Sequence, residues 1–275
     1  MKRRGAKRLF GSKLMLLSAL VVLGIITLAI FAPQIATHDP NRCDVRHILS
    51  PPGEGHLLGT DELGRDVFSR IVYGARVTLL VSASALLVGL TTGVAIGLVA
   101  GFFGGTVDFL VMRFVDVLLS IPGILLAILI AVVLGSGLVP VIVAIGVFAL
   151  PTYARVARGS VLALKEEEFV EAARALGAGP TRIILRHILP NLIGPILVLA
   201  TMDMGTAALT TAGLSFLGVG ISPPTPEWGL MVNTARPYIR QAPHAIIFPG
   251  MAIFVTVLAF NILGDGLRDL LDVKV

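Results

Sequence analysis

The chain has 275 residues, of which 55% are hydrophobic and only 14% are charged, and its mean hydropathy is +0.90. Soluble domains carry about one quarter charged residues, so this composition excludes an ordinary soluble protein and predicts an integral membrane protein. The formal net charge of +5 would suit a nucleic-acid partner. We expect none, because the basic residues crowd beside apolar runs, where they orient membrane spans.

The chain begins with a basic segment, MKRRGAKRLFGSK, followed directly by an apolar run from Leu14 to Phe31. This start resembles a secretory signal, but the run is long and others follow, so an uncleaved first helix is predicted. Long continuous apolar runs indicate membrane helices rather than the alternating strands of a barrel. The fold is therefore predicted to be all-α, with six spans at about 14–35, 77–102, 109–134, 139–154, 192–217 and 245–264.

An even number of spans places both termini on the same side of the membrane. With the N-terminus inside, 15 of the 22 Lys and Arg residues fall on the cytoplasmic side, including Lys274. Basic residues are concentrated in cytoplasmic loops of membrane proteins. The charge distribution therefore predicts cytoplasmic N- and C-termini.

The segment before the second span is expected to lie outside the cytoplasm. After a loop rich in Pro, Gly and Asp, it reads LLGTDELGRDVFSRIVYGAR, in which Leu63, Val67 and Ile71 are four residues apart. Arg65, Asp66, Ser69 and Arg70 would then share the opposite side, and Thr60 could cap the helix. The pattern predicts an amphipathic helix on the membrane surface.

Two further features of the outer segments could bind something. The loop holds His38, Cys43, His47 and His56, but these spacings match no closed zinc pattern, so no metal site is expected. The single tryptophan, Trp228, lies in the stretch PPTPEWG of the other outer segment. It is interpreted as an interfacial anchor, with a contact to another protein as the alternative.

Asp203 lies near the middle of the fifth predicted span. A carboxylate there costs roughly 2.5–3.5 kcal/mol on insertion scales, so it should face the bundle interior or a water-filled path. It could meet a substrate ammonium group or another cation, or it could be held by hydroxyls or by an amide such as Asn261. Methionine in a span usually packs. The candidate translocation-path residues are Asp203, Met202 and Asn261.

Small residues recur at every fourth position of the second span, and we call this set the glycine stripe: Gly89, Gly93, Gly97 and Gly101. Such a stripe lets a neighbouring helix approach closely. Whether the neighbour belongs to this chain or to a partner stays open. Near the start of the third span, Arg113 and Asp116 are three residues apart and are predicted to form an ion pair within one helix.

Charged residues are unusually dense between Glu166 and Asn191. Phe169 and Leu176 have helical spacing, Gly177 is placed to end that helix, and Pro180 is placed to begin another. The residues predict a short helix, a sharp turn and a second helix leading into the fifth span. A solvated loop and a docking surface with small side chains are both compatible with this pattern.

The spacing E-A-A, three residues, G, and then L-P resembles the EAA loop of the membrane subunits of ABC importers. Every position of the family pattern matches except its isoleucine, where this chain has His187. The resemblance implies that the loop at about 160–191 contains a coupling helix that docks on a cytoplasmic ATPase. The implied ATPase-coupling residues are Phe169, Glu171, Ala172, Ala173, Arg174, Gly177, Leu189 and Pro190.

Three other blocks, LLGTDELGRDVFSRIVYGAR, LSFLGVGISPPTPEWG and FPGMAIFVTVLAFNILGDGLRDLLD, look like the second permease subunit of dipeptide, oligopeptide and nickel importers, the OppC/DppC-like type. The resemblance implies a type I ABC importer permease fold in a prokaryotic inner or plasma membrane. It also implies an N-terminal region, 1–76, with the first helix and external loop, and a core permease domain, 77–275.

The same resemblance implies the partners: a second, homologous permease, two cytoplasmic ATPase subunits, an extracytoplasmic substrate-binding protein and membrane lipid. The chain has no G-x4-G-K-[ST] loop, so we expect no enzyme activity and no bound cofactor, with ATP and Mg²⁺ on the ATPase subunits. The alternatives are an ion-gradient-driven secondary transporter and a membrane-embedded enzyme. Dipeptide, oligopeptide, glutathione-like thiol and nickel chelate all remain open as substrates.

Overall fold

A computed structural model describes residues 13–53 and 55–271; the basic tail at 1–12 and Lys274 lie outside these ranges. The described residues contain no named β-strand. Short 3₁₀ helices occur at Val45–His47 and Arg236–Tyr238, and a π-helical segment at Ile184–Ile188. The α-helices are α1 Lys13–Ile30, α2 Ala32–Ile35, α3 Val67–Phe103, α4 Gly105–Ser120, α5 Gly123–Leu134, α6 Leu138–Leu164, α7 Glu168–Ala175, α8 Pro180–Ile183, α9 Leu189–Phe216, α10 Trp228–Ala235 and α11 His244–Leu271.

Among the described residues, five helical runs are long and apolar enough to cross a membrane: α1, α3, α6, the run Pro180–Phe216 and α11. The remaining predicted span, at about 109–134, is formed by α4 and α5, which meet at an angle of 92°. Ile121 is extended because it precedes Pro122, and a residue before proline is disfavoured in the α conformation. Six spans are therefore present only if this broken pair counts as one.

The predicted division of the chain at residue 76 falls inside α3, which runs without a break from Val67 to Phe103. Helices α3 and α6 pack against each other along much of their lengths, and the glycine stripe faces α6 at every position. A Cβ added at Gly93 would lie 2.5 Å from the Leu150 carbonyl oxygen. The helix that packs on the glycine stripe, which the sequence could not identify, therefore belongs to this chain.

The ion pairs beside this interface differ from the prediction. Asp116 pairs with Arg155 of α6 at 2.9 Å rather than with Arg113. Asp108 pairs with Arg158, one turn further along α6. The guanidinium of Arg113 lies over the Phe109 ring at 5.2 Å instead. The predicted ion pair within α4 was wrong because α4 lies beside α6. Arg155 and Arg158 of α6 reach the carboxylates of Asp116 and Asp108.

Two loops meet at one end of the bundle, which we call the outer end: residues 36–66 and residues 217–243. The Trp228 indole nitrogen donates to the Ile71 carbonyl at 2.9 Å, and the His244 ring lies 3.1 Å from the Thr60 carbonyl oxygen. Trp228 is only 2% exposed and packs on Gly74, so both interpretations of it as a surface residue were wrong. The opposite, inner end carries residues 165–179.

The prediction of an amphipathic surface helix was also wrong. The helix begins at Val67 rather than near Thr60, and its N-cap is Asp66, whose carboxylate accepts from the Ser69 amide at 2.8 Å. The Thr60 hydroxyl instead donates to the His47 carbonyl and accepts from a loop amide. Local hydrogen bonds of the loop therefore set where α3 begins.

The polar face of the expected helix points into the protein. Arg65 and Arg70 are 4% and 2% exposed, whereas Leu63 is 46% exposed. Arg65 pairs with Asp61 at 2.7 Å, and Arg70 donates to the Pro40 carbonyl at 2.8 Å. These contacts give each buried guanidinium a polar partner and fold the outer loop against the start of α3.

A buried carboxylate organises the second loop of the outer end. Glu227 is completely buried, and its oxygens accept from the amides of Gly229 at 2.9 Å and Leu230 at 2.8 Å, which caps α10. Burial raises the pKa of Glu227, and these two hydrogen bonds oppose that rise. Glu227 therefore has a structural role as a helix cap.

Candidate functional site

The short helix α7 at the inner end is attached to the bundle by one narrow face. Val170 is completely buried and Ala173 is 7% exposed, and both belong to a core cluster with Leu98 of α3 and Val161 of α6. Ile183, in α8, belongs to the same cluster. Helix α7 is therefore fixed to the ends of the long helices rather than held loosely in solvent.

The opposite face of α7 is exposed and carries the charged residues. Glu171, Ala172 and Arg174 are all exposed. Phe169 and Leu176, the two apolar residues with helical spacing, are also on this side, since they are 40% and 89% exposed. The inward residues are Val170 and Ala173.

The turn after α7 is built as the sequence predicts. Gly177 has φ +78°, a left-handed conformation that glycine adopts without steric penalty. Its amide donates to the Arg174 carbonyl at 2.9 Å, and the Ala178 amide donates to the Ala173 carbonyl at 3.0 Å. This paired arrangement ends α7, and Pro180 begins the next helix.

The helix beginning at Pro180 continues through the π segment into α9. Leu189 packs against the core cluster, and Pro190 lies in the first turn of α9, where proline is tolerated. His187, which departs from the EAA pattern, has its ring centroid 6.5 Å from the Phe169 ring. Its carbonyl accepts from the Asn191 side chain. The run from Pro180 to Phe216 is therefore helical throughout, and the turn at Gly177 joins α7 to its start.

Asp203 lies further along the same run, in α9. It lines a pocket of about 60 Å³ between α3, α6 and α9, with room for a few water molecules, whose rim includes the exposed residues Thr152 and Thr206. The neighbouring Tyr153 is completely buried and interacts electrostatically with the Asp203 carboxylate. Asp203 thus lines a small, mostly apolar cavity whose other polar residues are Thr152 and Thr206.

The other two candidate path residues point elsewhere. Met202 packs against Gly264 of α11. The Asn261 side-chain nitrogen donates to the Val257 carbonyl at 2.8 Å and lies against Gly205, so Asn261 does not hold Asp203. Both residues belong to the packing between α9 and α11, and their role in a path stays a prediction.

Comparisons with known proteins identify the family of this chain. The family described as the inner membrane component of binding-protein-dependent transport systems matches residues 93–275. The chain belongs to this family. The N-terminal transmembrane domain of oligopeptide transport permease C matches residues 3–52 of the permease.

Curated relatives agree with this assignment. The permease is 48% identical over 259 residues to the glutathione transport system permease protein GsiD of Escherichia coli O6:K15:H31, covering 94% of this chain and 86% of the relative. It is 46% identical over 258 residues to GsiD of Pectobacterium atrosepticum, with the same coverage. The chain is thus an OppC/DppC-like permease subunit of an ABC importer.

Solved structures support the fold. An inward-facing conformation of the MetNI methionine ABC transporter superposes with a TM-score of 0.61 at 23% identity, covering 74% of this chain and 97% of the solved chain. A second inward-facing MetNI crystal form gives a TM-score of 0.55 at 22% identity. The type I permease fold predicted from the resemblance is confirmed.

The family assignment settles several predictions together. The protein is a multi-pass component of the inner membrane, and as a permease subunit it is not itself an enzyme. Importers of this family work with a substrate-binding protein and an ATPase. A secondary transporter and a membrane-embedded enzyme are set aside.

Two residues of the site were missed from sequence. Val170 was overlooked because an eight-residue helix allows more than one inward face. Tyr153 was overlooked because it lies 50 positions before Asp203 in the sequence and meets it only through the packing of α6 against α9.

Proposed function

We propose that this permease forms half of the path of an ATP-driven importer for small peptides, including glutathione-like peptides, and that two ATPase subunits drive it through α7. The supporting observation is the division of α7 into a face anchored by Val170 and Ala173 and a free face. The other half of the path comes from a second, homologous permease. The substrate arrives on an extracytoplasmic binding protein that docks at the outer end.

The free face of α7 has the chemistry of a docking surface. Small side chains, such as Ala172, permit close approach, while Leu176 offers apolar area that this chain leaves in water. Glu171 and Arg174 supply one charge of each sign for orientation of the partner. ATP and Mg²⁺ bind to the ATPase subunits, and their closure moves α7.

The helical run Pro180–Phe216 carries that motion toward the path. It joins the turn at Gly177 to Asp203, and Leu189 and Pro190 lie near its beginning. A packed helix moves as a unit because interfaces have discrete arrangements rather than continuous ones. The pocket beside Asp203 would then change its opening when α7 moves.

The peptide assignment rests on the relatives and on Asp203. GsiD proteins are named as glutathione transport permeases. The carboxylate of Asp203, which lines a cavity, has the charge that attracts the ammonium group of a peptide. The membrane-reconstituted transporter, purified with its co-expressed subunits, should take up labelled glutathione or dipeptides only with ATP. Longer peptides and a nickel chelate should be tested as substrates in the same assay. Uptake driven by a proton or sodium gradient without ATP would refute the proposal.

A Gly177→Val variant should lose most ATP-dependent uptake while remaining in the membrane. Valine at φ +78° is strained by about 1–2 kcal/mol, a factor of 5–30 in the population of the native turn. Uptake at equal protein levels measures the effect. Gly179→Val is the matched control, because Gly179 has φ −72° and open space around it. Equal loss in both variants would argue against a role for the turn geometry.

An Asp203→Asn variant should reduce uptake of peptides with a free amino group about fivefold, which corresponds to a partly exposed ion pair of about 1 kcal/mol. N-acetylated peptides should be affected much less, so the uptake ratio of the two substrates is the readout. Tyr153→Phe keeps the carboxylate and should preserve that ratio. A uniform decrease for both substrates would contradict direct recognition by Asp203.

A further inference from the structure

Three side chains from separate parts of the outer loop converge at the N-terminus of α3. The Asp66 Oδ1 atom lies 2.9 Å from His56 Nδ1 and 3.8 Å from His38 Nδ1. One ligand atom from each residue lies within 4.8 Å of the other two. The imidazole rings of His38 and His56 have centroids 4.8 Å apart. Two nitrogen ligands and one carboxylate oxygen therefore surround a common point.

Backbone hydrogen bonds fix all three positions. The amide and carbonyl of His56 both pair with Gly53, at 3.2 and 3.1 Å. The His38 amide donates to the Ser69 hydroxyl at 3.0 Å. The other oxygen of Asp66 accepts from the Ser69 amide at 2.8 Å, which leaves Oδ1 between the two imidazoles. Hydrogen bonds therefore hold the backbone of both histidines and the carboxylate of Asp66 in place.

The cluster is buried on one side and open on the other. The Asp66 side chain is fully buried, the His56 side chain is 16% exposed and the His38 side chain is 37% exposed. All three line a pocket of about 270 Å³ together with Arg42, Asp44 and His47, whose Nδ1 lies 3.0 Å from the Asp44 carboxylate. An ion could enter from solvent and complete its coordination with water or with a further imidazole.

The spacing of the ligand atoms suits a small divalent metal. With metal–ligand bonds of about 2.0–2.1 Å, tetrahedral geometry separates neighbouring ligand atoms by about 3.3 Å. The two separations from Asp66 Oδ1, 2.9 and 3.8 Å, lie on either side of that value, and the two histidine nitrogens, which lie within 4.8 Å of each other, move closer together when they share one ion. Imidazole and carboxylate ligands together favour zinc, nickel or copper over magnesium and calcium.

From this geometry we infer that His38, His56 and Asp66 form a site for a zinc-class divalent metal that joins three segments of the outer end. The spacing of the loop histidines predicted no metal site, because the third ligand is an aspartate that the fold brings from the start of α3. The ion ties the turn after α2 and the turn at His56 to the first turn of α3. It thereby stabilises the extracytoplasmic loop of the permease.

Metal binding requires both imidazoles to be neutral and unprotonated at Nδ1. The proton that His56 can donate to Asp66 then resides on Nε2, and the shared ion replaces this hydrogen bond. His38 likewise exchanges its 3.0 Å contact with the Thr37 hydroxyl for the metal.

The test uses the full chain, purified with its co-expressed transporter subunits on a tag without histidines. A Cys43→Ser background removes the only thiol of the chain, which is exposed. After exposure to zinc and dialysis, the His38→Ala/His56→Gln double variant should retain one zinc ion fewer per copy of the chain. Each single variant should weaken zinc binding at least tenfold, measured by calorimetry. Zinc should raise the melting midpoint of the parent protein only.

His187→Gln is the matched control, since this histidine lies at the inner end and should leave zinc binding unchanged. His56→Gln keeps a donor for Asp66, so the loss of zinc can be separated from misfolding. Cobalt bound in place of zinc should show visible absorption that the double variant lacks. Equal zinc content in the parent and the double variant, or unchanged affinity in both single variants, would overturn the site.

Discussion

Replacing Leu176 with glutamate is expected to release the ATPase subunits while leaving the permease folded in the membrane. Leu176 is 89% exposed, so the chain itself loses almost no packing when the side chain changes. In the docked state proposed above, the same side chain is covered by the ATPase. A carboxylate would then be desolvated without a partner, which is strongly unfavourable.

The expected loss is at least about 2 kcal/mol, or about thirtyfold in affinity, which is typical of a residue that dominates an interface. Co-purification of the ATPase with the permease at equal membrane levels measures it. Val45→Glu is the matched control, because Val45 is 81% exposed but lies at the outer end. A Leu176→Glu permease that retained its ATPase as the control does would exclude α7 as the docking element.

The inner end shows which features of a site a sequence can predict. The turn between α7 and α8 depends on local chemistry, since Gly177 supplies the left-handed conformation and Pro180 starts a helix. Both could be placed from spacing alone. The inward face could not, because it depends on whether Val170 or Phe169 meets the distant ends of α3 and α6.

The outer end shows why patterns of polarity can mislead. A polar side of a helical pattern was interpreted as facing water, but Arg65 and Arg70 are buried by partners in the loop. Those partners include the carboxylate of Asp61 and the carbonyl of Pro40, which lies 30 residues from Arg70. Hydrogen bonds of this kind have no periodic signature, and the same is true of the meeting of His38 and His56 with Asp66.

The membrane core could be predicted from the sequence only in part. Apolar length predicted the spans, and the glycine stripe predicted a close helix contact, but the identity of the neighbour required the fold. The third span breaks at Pro122, where the preceding residue is extended, whereas Pro151, Pro195 and Pro249 lie inside unbroken helices. Apolar length alone does not distinguish a straight span from a broken one.

Gly97→Ala is expected to destabilise the permease, although alanine favours an isolated helix over glycine by about 1 kcal/mol. The added Cβ would overlap the Ala154 carbonyl oxygen and lie 2.8 Å from the Ala157 Cβ and 2.9 Å from the Arg158 amide nitrogen. Two of these atoms belong to the backbone, so the steric overlap can be relieved only if α3 and α6 move apart. Overpacking of this kind costs about 3 kcal/mol at the upper end of its usual range, which leaves a net loss of about 2 kcal/mol.

The thermal midpoint of the purified permease in detergent should fall by about 5 °C. Gly213→Ala is the matched control, because Gly213 lies within α9 and a Cβ there meets nothing within 4 Å. That variant should be neutral or slightly stabilised by its helix propensity. If both alanine variants shifted the midpoint in the same direction, helix propensity rather than the α3–α6 contact would determine the effect of the stripe. A loss confined to Gly97 would assign the stability of the core to backbone contact between these two helices.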